Sequence, residues 1–212
     1  MRFDFERMQG AECFEFLTST VVPRPIALIT TLAEDGRPNA APYSFFSIMG
    51  CDPPVLAVGL LPCADGTLKD TAANILRTGE FVAHLVPETL AEAMNVTCID
   101  APTGVNELEL ARLETVSSEK VKPPRVVGSP IAFECRTHAA VSLGPGQLMV
   151  IGRIVQAHVD DLFVLDADRP LIDTSKLKLI GSMHGAKWYA RTSDLLQMER
   201  PSWANWLRET KV

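Results

Sequence analysis

The feature that most constrains this chain is a run of three strand-like segments with no helical pattern between them. Residues 24–32 (RPIALITTL) are apolar, rich in β-branched side chains, and lead into Glu34-Asp35-Gly36, a hairpin-type turn. Residues 39–49 (NAAPYSFFSIM) return, Cys51-Asp52-Pro53-Pro54 turns again, and residues 55–61 (VLAVGLL) read as a third, buried strand. Parallel strands need a crossover connection, usually a helix. Three strands joined by short turns therefore require an antiparallel sheet. Pro42 cannot donate to a strand ladder, so the second strand needs an edge, a bulge, or something other than a strand alongside it.

Helical spacing begins only at Thr67, where Leu68, Ala72, Ile75 and Leu76 recur three and four apart, and Gly79 stops it. Residues 80–86 (EFVAHLV) are a strand, residues 88–96 and 105–111 short helices, and residues 119–130 (EKVKPPRVVGSP) an irregular, proline-rich surface excursion. Residues 131–143, 147–158 and 162–165 read as further strands, the first two joined at Gly144-Pro145-Gly146. The pattern predicts a mainly β fold with short helices, an antiparallel sheet closed into a small barrel. The 212 residues suit one domain, with a barrel core over about residues 21–191 and a tail over 192–212. In the tail, Trp203 and Trp206 stand three apart with Leu207 beside them, suited to packing over the barrel or across a dimer interface.

The formal net charge of −6 and the lack of any Lys/Arg cluster argue against a nucleic-acid partner. The longest apolar run, residues 55–61, is too short to span a bilayer, and MRFDFERM lacks the apolar stretch of a signal peptide. Five cysteines, with no C-x-x-C, read as reduced thiols, so the expected location is cytoplasmic. Four scattered histidines give no metal-ligand spacing. There is no G-x-S-x-G elbow, Walker A loop or G-x-G-x-x-G fingerprint after a strand. An enzyme built this way would take its reactivity from an organic cofactor.

Three segments have the makings of a cradle for one. Tyr43-Ser44-Phe45-Phe46-Ser47 alternates hydroxyls and aromatic faces after Pro42 and suits a flat polar heterocycle; the plainer reading makes Phe45 or Phe46 core. Gly66-Thr67-Leu68-Lys69-Asp70-Thr71 opens the expected helix, where free amides, hydroxyls and Lys69 would hold a phosphate; the plainer reading is an N-cap at Thr67 with Lys69 and Asp70 solvated. Residues 181–191 (GSMHGAKWYAR) allow close backbone approach and offer His184 and Tyr189 for stacking or polar contact, or form a structural loop. Arg24, between two prolines, offers a fork of donors to a phosphate or is a surface arginine.

The order VVPRPIALITT, DGRPNAAPYSFFS, DPPVLAVGL, KDTAANILRTGEFVAHLV, GVNELELA, KPPRVVGSPIAFEC and MHGAKWYART resembles the flavin reductase-like family of FMN-binding split β-barrels. The resemblance implies a six-stranded Greek-key barrel that forms a homodimer, binds FMN near the subunit interface, and uses NADH or NADPH. By position, Tyr43, Ser44, Phe45 and Phe46 would border the flavin ring and ribityl chain, and Lys69, Asp70 and Thr71 would surround the phosphate, with Arg24 assisting and Asn74 on the same helix face. His184 and Tyr189 would approach the flavin edge, His184 being the one side chain with a possible catalytic part. His84 departs from the family pattern, where asparagine is more usual, and takes no role. The implied function is a flavin reductase supplying reduced FMN to a partner monooxygenase or another acceptor; a tightly bound FMN electron carrier and a non-catalytic heterocycle-binding barrel are the alternatives.

Overall fold

Helix α1 (Gly10–Thr20) stands ahead of the first strand, where the sequence pattern gives no element. Its start is fixed by Glu12, whose carboxylate accepts the Gln9 N–H at 2.8 Å. Strands β1 (Arg24–Pro25), β2 (Ala27–Leu32), β3 (Pro38–Tyr43), β4 (Phe46–Cys51) and β5 (Pro54–Leu60) follow, then helix α2 (Asp70–Thr78) and β6 (Glu80–Leu85). Helices α3 (Ala91–Val96) and α4 (Glu107–Leu110) and the short strands β7 (Thr115–Val116) and β8 (Arg125–Val126) lead to a long hairpin of β9 (Ile131–Gly144) and β10 (Gln147–Val159). The chain closes with β11 (Val164–Asp166), β12 (Leu171–Ile172), β13 (Ile180–Ser182), β14 (Tyr189–Arg191) and α5 (Trp203–Glu209). This computed structural model describes residues 1–209 except 167 and 186; the side chains of residues 204, 207 and 209 also lie outside the description.

Seven strands form one antiparallel sheet in the order β3-β2-β6-β9-β10-β5-β4. Its edge strands β3 and β4 are consecutive in the chain, with only Ser44 and Phe45 between them. So short a link reaches no more than about 11 Å. The two edges must therefore come together, and the sheet curls into an open, split barrel. The apolar core inside the barrel draws on each of these seven strands: Ile29, Tyr43, Phe46, Leu56, Phe81, Cys135 and Val150 all belong to it. The resemblance implies six strands and the sheet has seven; residues 39–49, read as one strand, are two, β3 and β4. Pro42 is tolerated on edge strand β3, and the chain then leaves that edge for the other, anchored where the Phe45 carbonyl accepts the Gly59 N–H at 2.7 Å. Residues 162–165, expected to continue the sheet, instead enter a separate two-stranded ribbon of β11 and β12.

Strand β2 is buried on both faces, which explains its unbroken apolar run. Ala27 and Ile29 face the barrel core, whereas Ile26 and Leu28 pack outward with Met94, Leu108 and Val126. Helix α2 contributes Ala72 and Ile75 to the barrel core and ends at Gly79, in the left-handed conformation (φ 69°) with its N–H on the Ile75 carbonyl. The helix begins at Asp70 and not at Thr67. Thr67 is taken up by a turn, its hydroxyl donating to Asp65 at 2.6 Å.

Residues 119–130 are not a loose excursion. Prolines there prevent a long ladder, so the segment is held by buried side chains instead. The fully buried Glu134 carboxylate accepts from the Glu119, Lys120 and Val121 amides. Thr30 donates to the Pro124 carbonyl at 2.6 Å. The His84 ring is pinned at both nitrogens: Nε2 accepts the Val126 N–H at 2.9 Å, which leaves Nδ1–H to donate to the Leu28 carbonyl at 2.8 Å. Burial pushes the His84 pKa from its ordinary 6.5 to about 4, so the folded protein holds it neutral. A base with a depressed native pKa stabilises the fold above its unfolded pKa and loses that contribution as pH falls toward the native value. Between pH 7 and pH 5 the protein should lose about 2 kcal/mol of stability through this group. His84→Asn should flatten that part of the pH–stability curve; an unchanged slope would dismiss the assignment.

Trp203 is 73% exposed and Trp206 53% exposed, so the tail does not bury them against the barrel. The side chain of Leu207, read with them, lies outside the described residues.

Candidate functional site

A cleft of about 490 Å³ opens where edge strand β3, the start of α2, the end of α3 and the β13–β14 segment converge. Its size lies within the usual range for small-molecule sites. Arg24, Tyr43, Ser44, Lys69, Asp70, Thr71 and Tyr189 line it together. These residues come from both ends of the sequence because β1 pairs with β13, setting Arg24 opposite Ser182 and Pro25 opposite Gly181. Gly181 permits that approach: a Cβ there would sit 3.0 Å from Pro23 Cβ and 3.2 Å from the Arg24 carbonyl oxygen. The last segment is also clamped by Arg191, which holds Glu88 with both Nε and Nη2.

Arg24 is 6% exposed and spends its donors on the protein. Its Nε bonds Ser44 Oγ at 3.3 Å; Nη1 donates to the Thr18 and Val21 carbonyls at 2.5 and 3.0 Å; Nη2 donates to Ser182 Oγ and the Met183 carbonyl at 2.9 and 2.8 Å. A guanidinium has five N–H donors, and all are used. Burial lowers its pKa from the ordinary value. Arg24 is thus a hub that joins α1, the β3–β4 corner and β13 around the cleft, and it has no donor left to assist a phosphate.

The start of α2 faces the cleft without a side-chain cap: Lys69, at the N-cap, makes no capping bond, and the first-turn amides have no carbonyl within the helix. Such a terminus carries partial positive charge. Lys69 is exposed beside it. The Asp70 carboxylate accepts from the Thr103 hydroxyl (3.2 Å) and the Gly104 amide (3.4 Å). Thr71 is buried, its oxygen accepting from Asn39 Nδ2 at 2.9 Å. Tyr43 is 9% exposed and its hydroxyl has no hydrogen-bond partner. Burial pushes its pKa up to about 12, an effect that the neighbouring Thr71 hydroxyl partly offsets. At neutral pH Tyr43 is a phenol with a proton to donate.

Four of the residues singled out in the sequence stand outside the cleft lining. Phe46 is barrel core. Phe45 covers Gly59 and tilts against Phe14, ring centroids 6.1 Å apart. Asn74 is buried behind the helix, donating to Thr31 Oγ1 at 3.0 Å and accepting from Arg77. His184 is exposed and stacks on Trp188, while its neighbour Gly185 lines the cleft. Among the lining residues that escape the sequence are Asn39, and Glu107, which is 9% exposed and accepts the Ala40 N–H at 3.1 Å. Glu107 sits in an acidic ELEL run that reads as a solvated helix face, and nothing in its spacing marks it as buried. Asn39 had a signal, a polar amide within an otherwise apolar strand.

A sequence model of the flavin reductase like domain matches residues 18–174. The chain belongs to the flavin reductase like family. Its fold superimposes on the crystal structure of nitrilotriacetate monooxygenase component B from Bacillus cereus with a TM-score of 0.88 and 31% identity, covering 93% of this chain and 98% of that one. The 2-nitrobenzoate 2-nitroreductase NbaA of Pseudomonas fluorescens is similar at TM-score 0.87 and 29% identity, over 96% and 98% of the two chains. An uncharacterized protein of Deinococcus radiodurans is 38% identical over 208 residues, 96% of this chain and 91% of its own. Membership supports an oxidoreductase function tied to the reduction of FMN or FAD. No helix among the described residues is long and apolar enough to cross a membrane.

Proposed function

We propose that this protein is an FMN-binding flavin reductase that uses NADH or NADPH and supplies reduced flavin to an acceptor, a partner monooxygenase being the leading candidate. The observation that carries this reading is the uncapped start of α2, flanked by Lys69, facing the cleft of a flavin reductase family member. The unpartnered Tyr43 hydroxyl fits a bound group that brings acceptor atoms. FMN, when bound, supplies the hydride-accepting chemistry. The chain's own residues do the rest: the α2 amides, Lys69 and Thr71 bind the phosphate, Ser44 and Tyr189 border the ring, and Arg24 holds the walls in place. No side-chain acid or base is required, because positioning does most of the work in such transfers.

The similarity to a protein named as component B of a monooxygenase supports the partner reading. A homodimer belongs to the same proposal, supported by the exposed apolar side chains of Ile48 and Met49 on β4 and of Val141 and Leu143 on β9. The expected location is the cytoplasm. Purified protein given FMN in excess should consume NADH or NADPH. Uptake of FMN without consumption of either nucleotide would replace the reductase with a bound electron carrier. Lys69→Ala should weaken FMN binding about five- to tenfold, as for loss of a partly solvated charge-assisted bond. An unchanged affinity in a folded variant would move the phosphate elsewhere.

A further inference from the structure

We propose that residues 117–126 form a pH-sensitive strap, which stays fastened to the outer face of the barrel at neutral pH and lets go in mild acid while the seven-stranded sheet remains intact, loosening the α3–α4 wall of the cleft. The placement of the segment makes it separable. Strands β7 and β8 pair only with each other, Thr115 opposite Val126 and Val116 opposite Arg125, and neither joins the seven-stranded sheet. The segment also closes on itself: the Ser118 hydroxyl donates to the Pro123 carbonyl and Arg125 to the Ser117 carbonyl. It can therefore come away in one piece without breaking a ladder bond of the barrel, as the least tied unit of a fold opens first.

What fastens it is a set of side chains standing on the sheet. Thr30 on β2 donates to the Pro124 carbonyl, and Arg136 on β9 donates to that of Lys120. The remaining bonds end on acceptors that can take up a proton. On β6, His84 Nε2 accepts the Val126 N–H and Glu80 accepts the Lys122 N–H at 3.0 Å; on β9, Glu134 accepts the Glu119, Lys120 and Val121 amides. Five of these seven bonds thus weaken or vanish when the acceptor is protonated. Two valines add apolar contact. Val121 packs in a cluster with Val82 and Ala132, and Val126 in one with Leu28, Met94 and Leu108. Met94 also lines the cleft, as does Glu107 beside Leu108, so losing Val126 removes support from behind that wall.

Protonation acts most sharply at His84. Its Nδ1–H is already given to the Leu28 carbonyl, so a proton on Nε2 sets donor against donor at Val126. Burial, with Arg125 of the strap acting in the same sense, holds this ring at about 4 while the strap is fastened. Release exposes it and returns it toward its ordinary 6.5, so the open form binds the proton more tightly. A base depressed in the closed state holds the strap above its open-state pKa and loses that hold as pH falls toward 4. Between pH 7 and pH 5 the opening constant should rise up to about twentyfold. Glu134 yields at lower pH, because the Glu119 and Lys120 amides and His158 outweigh its burial and keep it below its ordinary value. His158 faces it from β10 at 2.6 Å, the Cys135 thiol lies next to it on β9, and Glu80 and Arg136 pair at 3.8 Å beside the strap's Lys120 and Lys122. A proton on His158 puts a cation against the Glu134 carboxylate and opposes release. His84 is therefore the trigger.

Hydrogen–deuterium exchange of the purified protein at pH 7 and pH 5, read by mass spectrometry and corrected for the intrinsic exchange rate, tests the strap. Peptides over residues 117–126 should lose protection up to about twentyfold at the lower pH. Those over α3 should lose some with them, whereas β9 and β10 keep theirs. His84→Asn should abolish most of the pH-dependent loss, because an amide side chain does not titrate. Thr30→Val should lower strap protection by the same factor at both pH values, since it removes a bond but no titrating group. If His84→Asn does not fold, the wild-type profile and Thr30→Val decide. Strap protection that is the same at pH 7 and pH 5, or that is lost equally over the strap and the β9–β10 hairpin, would overturn the inference. An unchanged α3 beside an opened strap would overturn its link to the cleft.

Discussion

Replacing Arg24 with alanine is expected to remove about 3 kcal/mol or more of stability and to abolish tight ligand binding in the cleft. The guanidinium is buried and supplies bonds to three separate parts of the chain: the end of α1 through Thr18 and Val21, the β3–β4 corner through Ser44, and β13 through Ser182 and Met183. Hydrogen bonds to a charged group contribute about 1.5–3 kcal/mol each, but bonds sharing one residue do not add in full. Arg24→Lys should rescue little, because an ammonium has three donors at one point and cannot fork toward three elements. Urea unfolding combined with FMN titration checks both effects. An Arg24→Lys variant with wild-type stability and affinity would show that the hub is dispensable.

Glu134→Ala is expected to destabilise the protein by about 3 kcal/mol or more, because it leaves three backbone amides at a buried site without their acceptor. Its Oε1 accepts the Glu119 amide at 2.8 Å and meets His158 Nε2 at 2.6 Å; its Oε2 accepts the Lys120 and Val121 amides at 2.5 and 3.1 Å. Burial alone would raise the Glu134 pKa, but the Glu119 and Lys120 amides and His158 outweigh it and hold the group below its ordinary value. A depressed carboxylate stabilises the fold above its unfolded pKa, so this contribution disappears as pH drops below the ordinary glutamate range. Glu134→Gln should be nearly as damaging as Ala, since the amide nitrogen would face donors where an oxygen accepts now. Denaturant midpoints for the two variants decide this; a Gln variant as stable as wild type would mean that the amide cluster rearranges freely.

Much of this architecture is legible in the sequence, and the parts that are not share a physical cause. Local signals located the turn at Glu34-Asp35-Gly36, the stop at Gly79 and the β9–β10 hairpin, because each depends on a few adjacent residues. The break at Ser44-Phe45 is different. A stretch with no turn signal inside it cannot show that one half pairs with β2 and the other with β5, since only the curl of the whole sheet brings the edges together. The docked segment 119–130 is equally hidden: one anchor, His84, lies far from it in sequence, and nothing local marks the other, Glu134, as buried. At the cleft, motif order brought Tyr43, Ser44, Lys69, Thr71 and Tyr189 to one place. The motif assigns Arg24 to the right neighbourhood but not to its task, because saturation of its donors depends on carbonyls supplied by α1 and by residue 183.

The most direct test is a titration of FMN into the purified protein, followed by flavin fluorescence and by protection of the protein against thermal unfolding. Saturable uptake of one FMN per chain, lost in Arg24→Ala and raising the melting temperature in the wild type, is the predicted result. A protein that takes up no FMN, or takes it up equally well with Lys69, Tyr43 and Thr71 all replaced, would contradict the assignment of this cleft.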